Sequence, residues 1–327
     1  MKQEIPGLQL GENWTSSIAA LEGILEYLGK PLPRHALMGL TGHAWHTCLA
    51  TKGEVTALPS GPADLDWQSA VERYARTGYR WERFGAQFAG DGPWDETRDA
   101  ATEWAMAHLD AGRPLIGWDF HLHEHAIVYG YDTARAGFLV HDVLTPELGP
   151  FVGWDVWPTA AIGRIELFAP VEPVEPDPIE SIGAALETAL ECFEGKDGPD
   201  DGQPRGTVAI DSWADALDGE VEIDRAGNAY TLVVLQAARM DGAAFLQDVA
   251  ESIPPLAEPL ALAASAINEQ VKALAPLITL FPFPSGGHGN VNNAGLRRAA
   301  AMALRRAASH ERAAAEAIRT ALQLFAD

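Results

Sequence analysis

The alternation of apolar and polar positions changes character near residue 170. Before it, short apolar runs are punctuated by Gly and Pro; beyond it, apolar positions recur at helical spacing over long stretches. In the first part Ile18, Leu21, Leu25 and Leu28 fall three and four apart, which predicts an amphipathic helix over 16–28. Thr15 or Ser16 can cap its start, and Gly29 can stop it. Trp67, Val71 and Tyr74 mark one face of a second helix over 64–77, and a third helix is expected over 95–110. Segments 79–84 and 163–168 read as strands. The segment GLTGHAWHTCLA is Gly-broken and then β-like, with Cys48 expected in a strand as a small buried residue, and 59–62 reads as a loop.

The most informative stretch is 112–142, GRPLIGWDFHLHEHAIVYGYDTARAGFLVHD. Its apolar runs 115–118, 126–131 and 138–140 predict adjacent strands of one sheet. His125 opens the middle strand and Asp142 closes the next. Antiparallel neighbours lie about 5 Å apart, so a hairpin can bring these ends together, as a general base and its orienting carboxylate require.

Next comes PVEPVEPDPIE, residues 170–180, whose prolines exclude a helix interior or a central strand and predict an extended linker. Helices are then expected over 179–193, 207–217, 228–252, 256–280 and 293–325, with an acidic, Gly-rich connection at 194–206 expected to be mobile. The high Ala content of the last helix favours helix by propensity. The fold class is therefore α+β: a mixed domain over 1–169 with an antiparallel sheet, the linker 170–180, and an α-helical bundle over 181–327.

With 47% apolar residues the chain has enough material for a core. A net charge of -23 disfavours nucleic acid and anionic membrane surfaces as partners. No run reaches the roughly 18 apolar residues a membrane span needs. The start MKQEIPGLQL lacks a signal-peptide pattern. Cys48 and Cys192 are the two cysteines, far apart in the chain, so no disulfide framework is implied and the cytoplasm is the expected compartment.

Three histidines invite a metal reading. On an extended strand His121, His123 and His125 would share one face, with Glu124 or Asp119 to complete a zinc site. Alternate side chains stand nearly 7 Å apart at about 3.3 Å per residue, however, so a bend would be needed for all three to reach one ion. A His-rich loop entering the strand is the plainer reading. The segment SGGHG at 285–289 lacks the GK[ST] of a P-loop, and no cofactor is expected. His43 and His46, beside Trp45 and a Gly turn, are pocket candidates with a plainer structural alternative.

Taken together, the helix SSIAALEGILEYLG, the strand HAIVYGYD and the later LVHD resemble the papain-like fold of peptidases that trim double-glycine leader peptides. They are closer still to the acyltransferase of butirosin biosynthesis and to uncharacterised bacterial proteins of that group. The resemblance covers roughly the first half of the chain, and the order of the later helices is similar too. It implies a nucleophile at the helix start, at Ser16, with His125 as base and Asp142 behind it. It also implies an oxyanion donor upstream, for which Gln9 and Asn13 are the candidates. Trp14 and Thr15, beside Ser16, are pocket candidates, and a one-residue shift would put Thr15 in the nucleophile's place. The departure is at the nucleophile, where the family has cysteine. A helix N-terminus acidifies a thiol but gives a serine hydroxyl little. Three functions are therefore expected: a degenerate-site protein binding a small molecule or peptide, a serine-type hydrolase or acyltransferase using Ser16, His125 and Asp142, or a zinc protein built on His121, His123 and His125. Homodimerisation stays open.

Overall fold

The computed structural model describes residues 1–52, 56–60, 65–87, 94–158, 163–199 and 201–326. Its elements begin with β1 (Lys2–Glu4), α1 (Ser16–Tyr27), α2 (Arg34–Leu40), β2 (Cys48–Lys52), β3 (Thr56–Ser60) and α3 (Trp67–Arg73). β4 (Tyr79–Gln87), α4 (Trp94–Asp110), β5 (Leu115–Trp118), β6 (His125–Asp132) and β7 (Gly137–His141) follow. Then come α5 (Thr145–Leu148), β8 (Phe151–Gly153), β9 (Arg164–Pro173), α6 (Pro178–Phe193) and α7 (Gly206–Asp218). β10 (Glu222–Ile223), α8 (Arg225–Ser252), α9 (Ala257–Leu280) and α10 (Ala294–Ala326) complete the chain. The architecture is mixed, with an antiparallel sheet of seven strands and a helical C-terminal region. No described helix is long and apolar enough to cross a membrane.

The chain divides into two compact units, one of residues 1–37 and 71–176, the other of 38–70 and 177–327. In the first, the sheet runs β4-β9-β5-β6-β7-β8, and β1 pairs with the far end of β6 beyond the reach of β5. Helix α1 buries Ile18, Leu21, Ile24 and Leu25 completely, which its three-four spacing dictates. It meets the sheet at Gly23, where an added Cβ would lie 3.0 Å from Ile127 Cδ1. Thr15 is its N-cap residue in extended conformation, and Gly29, at φ +72°, follows its end.

The helix expected over 64–77 is shorter: α3 ends at Arg73 and a 3-10 turn takes Tyr74–Thr77. Strand β9 continues past 168 into the Pro-rich stretch. Pro170 and Pro173 are tolerated because β5 pairs β9 at Leu167 and Phe168, so this end has β4 as its strand neighbour. Trp81 pairs with Pro170 and Arg80 with Glu172, which leaves Val171 as a bulge. Helix α6 starts at Pro178, its N-terminus capped by the Asp177 carboxylate accepting from the Ile179 and Glu180 N–H groups. Of the expected linker, 174–177 alone lies outside an element.

The second unit combines α6–α10 with the small sheet β10-β3-β2. Strand β3 includes Pro59, paired with Leu49, where a loop was expected over 59–62; residues 61–62 lie outside the described residues. Residues 38–70 group with the C-terminal helices rather than with the N-terminal sheet. Close packing explains it: a Cβ on Gly242 would come within 2.5 Å of the Trp45 ring, and one on Gly39 within 2.2 Å of Phe245. The 194–206 connection, expected to be mobile, buries Asp197 and Arg205. The Gly206 N–H donates to the Thr47 carbonyl at 2.8 Å.

Candidate functional site

Residues 9–15 run back along α1 towards its N-terminus. The Gln9 carbonyl lies against Gly23, the Gly11 N–H donates to the Ala19 carbonyl at 2.9 Å, and the Asn13 Oδ1 accepts from the Thr15 N–H at 2.9 Å. The side chain of Thr15 makes no capping bond, but its carbonyl accepts from Ile18 and Ala19. Gln9 is thereby exposed beside Gly23, two turns along α1 from Ser16, instead of beside the helix start. Trp14 is exposed, whereas Thr15 and Ser16 are buried.

Ser16 is tied to the His-rich segment from both sides. Its hydroxyl donates to the Glu124 carboxylate and accepts from the His125 backbone N–H at 3.0 Å. The segment that presents these groups turns at Asp119, a buried residue at φ +69° whose N–H donates to the Glu124 carbonyl at 3.1 Å. That conformation is uncommon for a non-glycine residue and is sustained by the surrounding bonds. One of them joins the Asp119 carboxylate to His123 Nδ1 at 2.6 Å.

The His125 ring is buried against Trp118, edge to face at 4.9 Å between centroids, and tilted against Phe168 at 6.1 Å. Asp142 serves a different histidine. Its carboxylate is 2.9 Å from His121 Nδ1 and also accepts from the Leu144 N–H and the Thr145 hydroxyl. The expected relay from Ser16 through the His125 ring to Asp142 is therefore not the arrangement observed. Strand register gives the reason. Ile127 pairs with His141, which sets Asp142 across from Ala126. Side chains alternate between faces along a strand, so Asp142 lies on the face opposite His125.

The three histidines do not share a metal position. His121 engages Asp142, His123 engages Asp119, and His125 packs on Trp118. Further along the buried face of α1, burial drives the pKa of the Tyr74 phenol well above its ordinary value, with Ser17 acting the other way. Near the helix start, Asn13 Nδ2 and Thr15 Oγ1 are buried and have no hydrogen-bond partner among the described residues. The first N–H groups of any helix also lack intrahelical acceptors. His43 belongs to the second unit, fully buried, with Nδ1 2.8 Å from the Thr41 hydroxyl and its ring 6.2 Å from that of Trp67.

Sequence reasoning named Glu124 as a candidate zinc ligand beside Asp119 and missed its place as the acceptor for Ser16. Its one signal in the sequence is a carboxylate set between two histidines directly before an apolar strand. No protein-family model matches this sequence. No curated protein matches it either.

Proposed function

We propose that this chain is a papain-like relative of the acyltransferase and leader-peptidase group that binds a small molecule or peptide without turning it over. The observation that carries the reading is the state of Ser16: its hydroxyl is held between the Glu124 carboxylate and the His125 N–H. A hydroxyl held in this way joins the start of α1 to the start of β6, and the His125–Asp142 pairing that would energise a serine is replaced by His121–Asp142. The ligand group that suits the helix start is a carbonyl or carboxylate oxygen. The positive end of the α1 dipole favours it, and Asn13 Nδ2 offers a donor that the described protein groups do not satisfy.

A second reading is favoured by one feature. A carboxylate accepting from a serine hydroxyl stands where a general base would stand, so Glu124 in place of His125 would make Ser16 a nucleophile. One experiment separates the two. The binding reading expects no adduct with a fluorophosphonate and no turnover of acyl esters, together with a rise in Tm when a Gly-Gly-terminated peptide is added. It also expects Ser16→Ala to cost about 1–3 kcal/mol, because the buried His125 N–H loses its acceptor. An adduct on Ser16 that disappears in Glu124→Gln with folding intact would establish the hydrolase instead.

A further inference from the structure

Three potential metal ligands from distant parts of the sequence converge in the second unit. His46 Nδ1 lies 3.7 Å from Asp197 Oδ2, and Cys192 Sγ donates to the same oxygen at 3.2 Å. All three ligand atoms lie within 4.8 Å of one another, and all three residues are buried. We propose that His46, Cys192 and Asp197 form a zinc site. The site does not rest on the binding reading, which concerns the other unit.

The geometry is close to what the ion requires. Zinc holds sulfur at about 2.3 Å and nitrogen or oxygen at about 2.0–2.2 Å, so tetrahedral ligands stand roughly 3.4–3.7 Å apart. The two separations from Asp197 Oδ2, 3.2 Å to the sulfur and 3.7 Å to the imidazole nitrogen, bracket this spacing. Zn²⁺ replaces the proton that Cys192 now shares with Asp197, and that proton leaves to solvent. One thiolate and one carboxylate then neutralise the dication, which removes the cost of a buried net charge. Imidazole completes three protein ligands, and a water takes the fourth position. The cation also reverses an unfavourable setting for the sulfur. Cys192 lies in the last turn of α6, where the negative end of the dipole opposes a bare thiolate.

The ligands sit on segments fastened to one another, as a preorganised site needs. Gly206 N–H donates to Thr47 O at 2.8 Å, and Leu49 N–H to Pro204 O at 3.0 Å. On either side of His46, the Arg239 guanidinium donates to Ala44 O at 2.5 Å and to Thr47 Oγ1 at 2.8 Å. Gly195, at φ +71°, turns the chain sharply after α6 and brings Asp197 back towards Cys192.

The test uses the full chain, purified without chelator and analysed for metal, then stripped and titrated with Co²⁺. The expected result is about one zinc per chain as purified, and a thiolate-to-cobalt charge-transfer band on titration. Because the chain has two cysteines, the band should persist in Cys48→Ser and vanish in Cys192→Ser. His46→Gln and Asp197→Asn should weaken Co²⁺ binding at least by the roughly tenfold to hundredfold that loss of an outer-shell partner costs. A His121→Ala/His123→Ala variant should keep its zinc. A folded wild type with neither zinc nor band would mean a hydrogen-bonded thiol only and would overturn the proposal. So would a band that survives in Cys192→Ser, or zinc lost with His121 and His123. If Cys192→Ser does not fold, Cys48→Ser still decides the matter, since its only thiol is Cys192.

Discussion

His108 occupies the last turn of α4, with its ring 4.1 Å from that of Trp104 and its Nδ1 buried without a partner among the described residues. Burial lowers its pKa, the Arg113 charge adds to that, and Glu82 at 3.9 Å opposes both. A lowered native pKa means that the unfolded chain takes up the proton first. Stability from a neutral His108 is thus present above about pH 6.5 and is lost as pH falls below it. The Tm of His108→Leu should therefore fall less than that of wild type between about pH 7.5 and 5. Equal falls would show that the site does not contribute. At this same scale the candidate site was half legible. Ser16 and the start of the His-led strand do adjoin, through Ser16 Oγ and the His125 backbone. What could not be read was a single-residue bulge at Tyr129, between the pairs Gly130–Leu139 and Val128–Val140. Without it, Asp142 would fall opposite Ile127 and share a face with His125. One extra residue turns it to the other face, where His121 is its partner.

Elements proved easier to read than sites, because helix periodicity persists over many residues while a strand leaves ten at most. All five C-terminal helices lie within a few residues of their expected limits. Tertiary contact overrides local pattern at Pro170 and Pro173 inside β9 and at Pro59 inside β3, and the short elements β1, α2, α5, β8 and β10 carry too little signal to be read. Gly23 shows the same conflict in a helix interior. Alanine there should gain about 1 kcal/mol of helix propensity. Its Cβ, however, would sit 1.8 Å from the Gln9 carbonyl oxygen and 3.0 Å from Ile127 Cδ1. Backbone must then move, and overpacking of this kind costs about 1–3 kcal/mol, so the clash exceeds the propensity gain. Gly23→Ala should unfold at lower urea with an unchanged m-value. A variant as stable as wild type would mean that moving segment 9–15 away from α1 costs no more than the propensity gain.

At the scale of the molecule, the surplus of acids over bases describes the surface and gives no hint of the ion pair inside the second unit. Arg239 and Glu311 are both fully buried, joined at 2.7 Å. The Glu311 carboxylate also accepts from Gln270 at 2.7 Å and Thr207 at 3.0 Å, so that α7, α8, α9 and α10 meet at one carboxylate. Arg239 carries the link onward to Ala44 and Thr47, which holds 38–70 to the C-terminal helices. Sequence did contain a trace of this. Arg239 interrupts the apolar stripe Leu232, Leu235, Gly242, Leu246; Gln270 interrupts Ile267 and Leu274; Glu311 interrupts Leu304, Ala307, Ala314 and Ile318. A polar residue on each of three apolar stripes points to a buried network, but the pairing requires the three-dimensional arrangement. The energetics yield a test. Removing one partner of a buried pair leaves an uncompensated charge and costs about 3–5 kcal/mol, whereas removing both eliminates that charge. Arg239→Met and Glu311→Gln should each lower the urea midpoint strongly. The double variant should lose less than the sum of the two, since it buries neither charge uncompensated, while the amide of Glu311→Gln retains an acceptor for Gln270 or Thr207. Additive losses would mean that the pair acts as two separate hydrogen-bonding groups and that the unit is held by its apolar stripes alone.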